Sequence, residues 1–238
     1  MKTLLVITTL NHIKYTEKCI KSIPEINNLD ILFVDDYSKD NTISMLEQKG
    51  LDYIPKDKGA GLTDSWNIGY RRFKQSYDKL IISNNDVLFS KPSLENLIGH
   101  LDKHTLCCPM TSAKGAGHNA EFQDVARYYP KLKDISSHET RHTKIINRLD
   151  KHEVVKMKRF NGFCFAVNKD IINSEYDKEH LFNPKSVNTG QESDLSRRLH
   201  NKPVVCLDSF IFHFKAITVR QGTIINKRDS RDRLERYH

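Results

Sequence analysis

The stretch Lys-Leu-Ile-Ile-Ser-Asn-Asn-Asp-Val-Leu-Phe-Ser, residues 79–90, decides the fold. Its first apolar run, Leu80–Ile82, is typical of a short strand that is buried on both faces. The run stops at Ser83-Asn84-Asn85-Asp86, four polar residues that a buried strand could not continue through. An acidic residue at the end of such a strand lies where open α/β sheets bind ligands. Asp86 is therefore a candidate ligand for Mg²⁺ or Mn²⁺ held against a phosphate; the alternative is a polar turn between two strands.

Strands and helices alternate in the chain before and after this stretch. The patterns predict strands at 3–7, 29–34, 51–54 and 80–82, and helices at 15–23, 41–48, 92–101 and from residue 62 onward. This alternation is the signature of βαβ units and a parallel sheet. Right-handed crossovers bring the polar ends of three of these strands to one edge of the sheet.

The helix that begins at Leu62 has one clean apolar stripe. Leu62, Trp66, Gly69, Tyr70 and Phe73 recur at helical spacing. A glycine inside a helix is unfavourable by about 1 kcal/mol relative to alanine. We therefore expect Gly69 to allow close packing of this helix on the sheet.

The second half of the chain is harder to interpret. Strands are predicted at 105–111, 160–167, 204–207 and 210–214, and a helix at 189–200, whereas residues 112–155 are polar and indicate loops with short helices. Since no linker or repeat interrupts the chain, we expect one domain. Its parts are a first half (1–104), a second half (105–225) and a basic tail (226–238).

Composition limits the classes of partner and the compartment. The 238 residues carry a formal net charge of +8, so acidic partners such as phosphorylated molecules are expected. The chain shows neither an RNA-binding motif nor a helix-turn-helix, so we expect no nucleic acid. No apolar run approaches the ~20 residues of a membrane span; the basic tail is either a solvated surface or a peripheral membrane contact. Five cysteines without a Cys-x-x-Cys pair indicate a reducing, cytoplasmic location.

Several stretches in order resemble the inverting nucleotide-sugar glycosyltransferases of the GT-A fold, glycosyltransferase family 2. They are Thr8-Thr9-Leu10-Asn11, Val34-Asp35-Asp36-Tyr37-Ser38-Lys39-Asp40, Gly59-Ala60-Gly61 with Asn67-Ile68-Gly69, Asn84-Asn85-Asp86, Gly190–Arg198 and His213. The resemblance covers roughly residues 3–215 and implies a Rossmann-like three-layer α/β/α fold around a central, mostly parallel mixed sheet. It also implies an inverting transferase of the hexosyltransferase type, which moves a sugar from a nucleotide-diphosphate sugar, with UDP favoured, to a hydroxyl of a glycan or other acceptor. By the same resemblance, residues 1–104 would bind the nucleotide sugar, and residues 105–225 would bind the acceptor and contain the catalytic residues.

The same resemblance implies a nucleotide pocket at the first two strand ends. Asp36 would accept a hydrogen bond from uracil N–H, and Thr8 and Leu10 would line the base pocket; helix capping is the alternative for Asp36, although Asp40 is better placed for that. Asp64 and Asn67 face the same edge and are candidates for ribose or phosphate contact, or for structural capping.

The resemblance also implies a metal site at the end of the strand predicted at 80–82. Asn84-Asn85-Asp86 stands where the family has Asp-x-Asp, so Asn84 replaces the first carboxylate and Asp86 is left as the single acidic ligand of Mn²⁺ or Mg²⁺. His213 is the second candidate ligand, unless it is a core histidine between two phenylalanines. Lys215 and Arg220 would add positive charge against the diphosphate.

Glu192 stands where the family has its catalytic aspartate. The inverting reaction needs one base to take the proton of the acceptor hydroxyl. Thr189-Gly190-Gln191-Glu192 also matches a Ser/Thr-x-x-Glu capping box, in which Glu192 would only bind backbone N–H. Asp194 is the alternate base, or a helix-start carboxylate that the dipole favours.

Two other functions remain open at this point. A sugar nucleotidyltransferase has a similar layered fold, but no Gly-rich, basic loop follows the first strand. A nucleotide-sugar-binding protein that has lost catalysis is the alternative that Asn84 supports.

Overall fold

The computed structural model describes residues 1–117 and 121–215. In that part of the chain the strands are β1 (Thr3–Thr9), β2 (Leu29–Asp35), β3 (Tyr53–Pro55), β4 (Lys79–Asn84), β5 (Val87–Leu88), β6 (Leu106–Met110), β7 (Val154–Lys156), β8 (Cys164–Asn168), β9 (Val204–Phe210) and β10 (Phe212–His213). The α-helices are α1 (Ile13–Ser22), α2 (Thr42–Gln48), α3 (Leu62–Ser76), α4 (Lys91–His100), α5 (Ala113–Ala116), α6 (Val125–Tyr128), α7 (Lys133–Ser136), α8 (His142–Ile146) and α9 (Gln191–Arg198). Short 3₁₀ helices span Glu121–Gln123, Pro130–Leu132, Glu139–Arg141 and Lys169–Ser174.

Eight of these strands form one mixed sheet in the order β3-β2-β1-β4-β8-β6-β9-β7, and β5 pairs with β10. Strands β1 to β4 are parallel to one another, whereas β8 lies antiparallel between β4 and β6. Because β1 lies between β2 and β4, the strand order reverses there, and such a switch point opens a ligand crevice in α/β sheets. The predicted three-layer α/β/α fold with a mostly parallel mixed sheet is confirmed.

Strand β1 separates the two apolar layers of the molecule. Leu4 and Val6 pack in the layer that contains α3, while Leu5 and Ile7 pack in the layer that contains α1, α2 and α4. Each side chain of this size stabilises the fold by roughly 1.5–3 kcal/mol when fully buried. A Cβ on Gly69 would lie 2.8 Å from Cγ1 of Val6, so the expected close packing of α3 on the sheet is confirmed.

The sequence prediction differs from the structure mainly in the second half. The strand predicted at 204–207 extends to Phe210, and the strand predicted to begin at residue 160 begins at Cys164. Strand β7 was not predicted, because three residues are too few for a pattern and it exists through backbone pairing with β9. The polar region 112–155, in which loops and one or two short helices are expected, contains four short α-helices and three 3₁₀ helices in its described residues.

The state of the cysteines and the length of the helices are relevant to the expected cytoplasmic location. All five cysteines are buried free thiols. Within the described ranges, no helix is long and apolar enough to cross a membrane. The basic tail and Arg220 lie outside the described residues, and the cytoplasmic location and the division into halves stay predictions.

Candidate active site

The polar ends of β1, β2 and β4 meet at one edge of the sheet. In the strand register Thr8 lies beside Asn84, and Thr9 lies beside Asp35. Leu10 follows β1 directly and is half-buried. Candidate residues from three separate motifs therefore share the crevice at the switch point.

Asp35 and Tyr37 shape the turn that presents Asp36. The Asp35 carboxylate accepts hydrogen bonds from the N–H and the hydroxyl of Ser38 at 2.8 and 2.6 Å, and from the Thr9 hydroxyl at 2.9 Å. Tyr37 replaces the family's glycine, yet its backbone is left-handed with φ of 70°. That conformation is unfavourable by roughly 1–2 kcal/mol for a residue with a Cβ. The turn thus keeps its glycine-like path at the expense of local strain, as is common at functional sites.

Lys56, which the sequence did not single out, forms a buried ion pair with Asp36. Its ammonium lies 2.7 Å from Asp36 Oδ1 and 3.1 Å from Asp64 Oδ2, and only 6% of its side chain is exposed. The N–H groups of Ala60 and Gly61 also donate to the Asp36 carboxylate. Asp36 is therefore fixed by the loop after β3 and caps none of the described helices, whereas the N-cap position of α2 is taken by Asn41 and not by Asp40.

Asp40 and two of the candidate amides bind protein groups. The Asp40 carboxylate accepts a hydrogen bond from the Thr42 N–H at the start of α2. The Asn67 amide exchanges two hydrogen bonds of 3.0 Å with the backbone of Phe182, which attaches α3 to the loop before α9. Asn85 donates to the Thr16 hydroxyl at 2.8 Å and so attaches the end of β4 to α1. Contact of Asn67 or Asn85 with a nucleotide stays a prediction.

Asp86 and His213 form a second polar pair in the crevice. Strand β10 pairs with β5 and brings His213 Nε2 to 3.3 Å from Asp86 Oδ1. His213 Nδ1 lies 3.0 Å from the carbonyl oxygen of Gly115, and since a carbonyl only accepts, Nδ1 carries the hydrogen of this bond. The Nε2 atom is therefore directed at the carboxylate.

This pair fits a divalent cation. Two ligands about 2.1 Å from one octahedral cation, at right angles, lie about 3.0 Å apart, close to the 3.3 Å observed between Asp86 and His213. Carboxylate oxygen suits Mg²⁺ and Mn²⁺, and imidazole nitrogen is compatible with the softer of the two. In residues 1–117 and 121–215 no cluster of three or more His, Cys, Asp or Glu side chains could hold a metal. A cation bound here would take its other ligands from water and substrate.

Glu192 and Asp194 begin α9 but have different environments. Gly190 occupies the N-cap position of this helix with φ of 88°, so Glu192 is its second residue and not the third, which is the position that a capping box uses. The Glu192 carboxylate instead accepts a hydrogen bond from the Gly162 N–H at 3.2 Å. Burial raises the pKa of Glu192, which makes it a stronger base. Asp194 is bound by the Arg198 guanidinium at 2.8 and 3.1 Å, which leaves Glu192 as the better candidate.

The consecutive residues Gly162 and Phe163 join these two groups. Gly162 binds Glu192, and a Cβ added at Gly162 would lie 2.7 Å from Glu192 Oε1. The Phe163 ring stacks on His213 with 4.7 Å between centroids. The Phe163 carbonyl oxygen accepts from the N–H of Asn84 at 2.8 Å. The candidate base and the histidine of the Asp86–His213 pair therefore contact two consecutive residues of the chain.

Lys215 is the last described residue of the predicted site. It follows β10 with a left-handed φ of 59°. Its ammonium lies against Gly117, at the end of the short helix whose Gly115 binds His213. A positive charge therefore lies at the end of this helix, and contact of Lys215 with a diphosphate stays a prediction.

Comparison with known proteins agrees with this architecture. Among solved structures, the chain is similar to GalNAc-T7 with UDP, GalNAc and Mn²⁺ (TM-score 0.65, 13% identity, 90% of this chain and 44% of that chain). It is also similar to the mannosyltransferase PcManGT from Pyrobaculum calidifontis with GDP-Man and Mn²⁺ (0.62, 13%, 91% and 57%). A third similar structure is S. aureus TarS 1–349 with UDP-GlcNAc (0.58, 13%, 94% and 62%). The chain spans less than two thirds of each of these proteins, and at such identity the likeness shows a common fold.

Sequence comparison identifies the family. No curated protein sequence matches the chain significantly. The model of glycosyl transferase family 2 matches residues 4–173, which include the crevice, the Asp36 turn, Asp86 and the Gly162–Phe163 pair. The chain belongs to glycosyl transferase family 2.

Proposed function

We propose that this protein is a metal-dependent, inverting glycosyltransferase that moves a sugar from a UDP-sugar to a hydroxyl of a glycan or other acceptor. The observation that carries the proposal is the contact of Glu192 and His213 with the consecutive residues Gly162 and Phe163. In a single displacement the attacking hydroxyl and the departing diphosphate flank one carbon atom. A base and a diphosphate site must therefore lie only a few ångströms apart, which this arrangement supports.

The donor would lie across the switch point. Asp36 would accept from the N–H of the base, with Thr8 and Leu10 beside it, and Asp64 at the start of α3 is a candidate contact for the ribose. The diphosphate would lie toward Asp86 and Lys215. The similar structures of GalNAc-T7 and TarS contain UDP or a UDP-sugar, whereas PcManGT contains GDP-Man, so UDP is the first donor to test.

The chemistry follows from the positions of the side chains. Glu192 takes the proton of the acceptor hydroxyl while the hydroxyl oxygen forms a bond to the anomeric carbon. The bond from that carbon to the phosphate oxygen of the donor breaks, and the nucleoside diphosphate leaves. Attack from the opposite face inverts the configuration. A divalent cation held by Asp86 and His213 would supply positive charge against the departing diphosphate. Phe163 excludes water on one side of His213 and keeps the imidazole directed at Asp86.

A thermal-shift screen tests the proposal. UDP-, dTDP- and GDP-sugars are added with and without Mn²⁺, and sugar transfer or hydrolysis is then measured for those that bind. A ligand at one hundred times its Kd stabilises the folded state by about 2.7 kcal/mol, so a UDP-sugar should raise the melting temperature clearly, and more so with Mn²⁺. Failure of every nucleotide sugar to stabilise the protein would overturn the proposal. Stabilisation without any turnover would favour the non-catalytic binding protein, for which Asn84 in place of an acid is the supporting observation.

A further inference from the structure

We propose that Lys56 is a positioning residue that makes the donor site select bases with an imide N–H, such as uracil, over cytosine. The inference rests on the proposed function, in which Asp36 binds the base. It concerns a side chain that lies outside the motifs of the family resemblance.

Four oxygen atoms surround the Lys56 ammonium. They belong to Asp36 at 2.7 Å, the Gly61 carbonyl at 3.0 Å, the Ser65 hydroxyl at 3.0 Å and Asp64 at 3.1 Å. An ammonium has three N–H donors, so these oxygens already exceed its capacity. Lys56 is therefore occupied within the protein and acts on a base only through Asp36.

The two oxygens of Asp36 differ in what they accept. Oδ1 receives three donors, which are the Lys56 ammonium, the Ala60 N–H at 2.9 Å and the Gly61 N–H at 3.2 Å. Oδ2 receives the Gly61 N–H at 3.1 Å. A carboxylate oxygen offers about two acceptor positions, so Oδ1 is saturated and Oδ2 keeps one position open. Because Lys56 and the two backbone N–H groups together hold Oδ1, the open position has a fixed direction.

A fixed acceptor discriminates between pyrimidines. Uracil presents an N–H at ring position 3, which can donate to Oδ2. Cytosine has a lone pair at that position, which repels the carboxylate. A hydrogen bond to a charged group changes affinity by roughly tenfold to a hundredfold. Without Lys56 the Asp36 carboxylate keeps its backbone N–H donors but loses its ion pair, so its orientation is less fixed and the advantage of uracil should fall by that factor.

Calorimetric titration with UDP and CDP, in the presence of Mn²⁺, tests the inference on the full chain. Lys56→Met should weaken UDP binding by about tenfold or more and leave CDP binding within about twofold, because CDP never makes the bond to Asp36. The matched control is Lys58→Met, which changes an exposed lysine of the same loop and should alter neither affinity. Equal weakening of UDP and CDP would show a merely structural role and overturn the inference, as would unchanged UDP binding.

Lys56→Arg covers the case in which the methionine variant does not fold. Arginine keeps the charge that Asp36 needs, but a planar fork cannot replace a tetrahedral ammonium on four oxygens. It should weaken UDP binding by a smaller factor and leave CDP binding unchanged; full UDP affinity would overturn the inference. If the unmodified protein binds no nucleotide, the proposed function itself fails, which is a distinct outcome.

Discussion

Substitution of Glu192 by glutamine separates its role in catalysis from any role in the fold. The glutamine side chain has the same length and retains an oxygen that can accept from the Gly162 N–H, now 3.2 Å from Glu192 Oε1. It cannot take a proton from the acceptor hydroxyl. Since the base acts only in the transition state, Glu192→Gln should lower kcat and leave the Kd of the donor nearly unchanged.

The size of the effect follows from the role. Loss of a general base typically lowers the rate by roughly 10²–10⁴-fold, which corresponds to about 2.7–5.4 kcal/mol of transition-state stabilisation at 1.36 kcal/mol per tenfold. The free energy of unfolding should not fall in this variant, in contrast to the rate. A raised folded-state pKa means that ionisation of Glu192 opposes folding, so its stabilising contribution is present below the unfolded pKa and lost as pH rises through the folded pKa. At neutral pH the glutamine variant should therefore melt no lower than the parent.

Steady-state transfer, donor titration and thermal melting measure these three quantities. The matched control is Asp194→Asn, which changes a carboxylate two residues away that binds Arg198. It should lower the melting temperature and keep most of kcat, because the helix loses its ion pair and the base remains. A glutamine variant that retains more than about a tenth of the parent rate would refute the assignment of the base. A product with the donor's anomeric configuration would refute the single-base scheme.

Other substitutions test the remaining parts of the site. Asp86→Ala should abolish Mn²⁺-dependent binding of UDP in calorimetry and leave the circular dichroism spectrum unchanged; UDP–Mn²⁺ binding as tight as the parent's would contradict the metal site. Asp36→Asn should reduce the preference for UDP over CDP more than it reduces affinity for pyrophosphate, because the amide presents a donor to the base N–H; an unchanged preference would remove Asp36 from the base pocket. Gly162→Ala should lower kcat and destabilise the fold by about 1–3 kcal/mol, since its Cβ would meet Trp66 and Glu192; normal transfer and melting would show that the contact is dispensable. In the parent, kcat should rise with pH along an acid limb that lies above the ordinary glutamate range, as the raised pKa of Glu192 requires; an acid limb in the ordinary range would argue against Glu192.

Local patterns in the sequence determine the parallel half of the fold. The apolar run before Ser83 and the carboxylates after Val34 mark strand ends, because a strand buried on both faces tolerates no unpaired polar group. The glycine in the stripe of α3 indicates a close approach to the sheet, and Val6 confirms it. These patterns involve residues that are close together in sequence, so they can be recognised without knowledge of the fold.

Tertiary structure decides which polar groups share the site. Nothing near Lys56 distinguishes it from Lys58, and only the packing of its loop on α3 buries one and exposes the other. His213 reaches Asp86 because a two-residue strand pairs with β5.

The sequence by itself determined the order of strands and helices in the first hundred residues, the crevice edge and the list of candidate acids. Only the fold separated Glu192 from Asp194, since the capping residue, the Arg198 partner and the Gly162 N–H come from different parts of the chain. Propensity and periodicity describe neighbours in sequence. The charge, burial and hydrogen bonding that define a base or a metal ligand depend on neighbours in space.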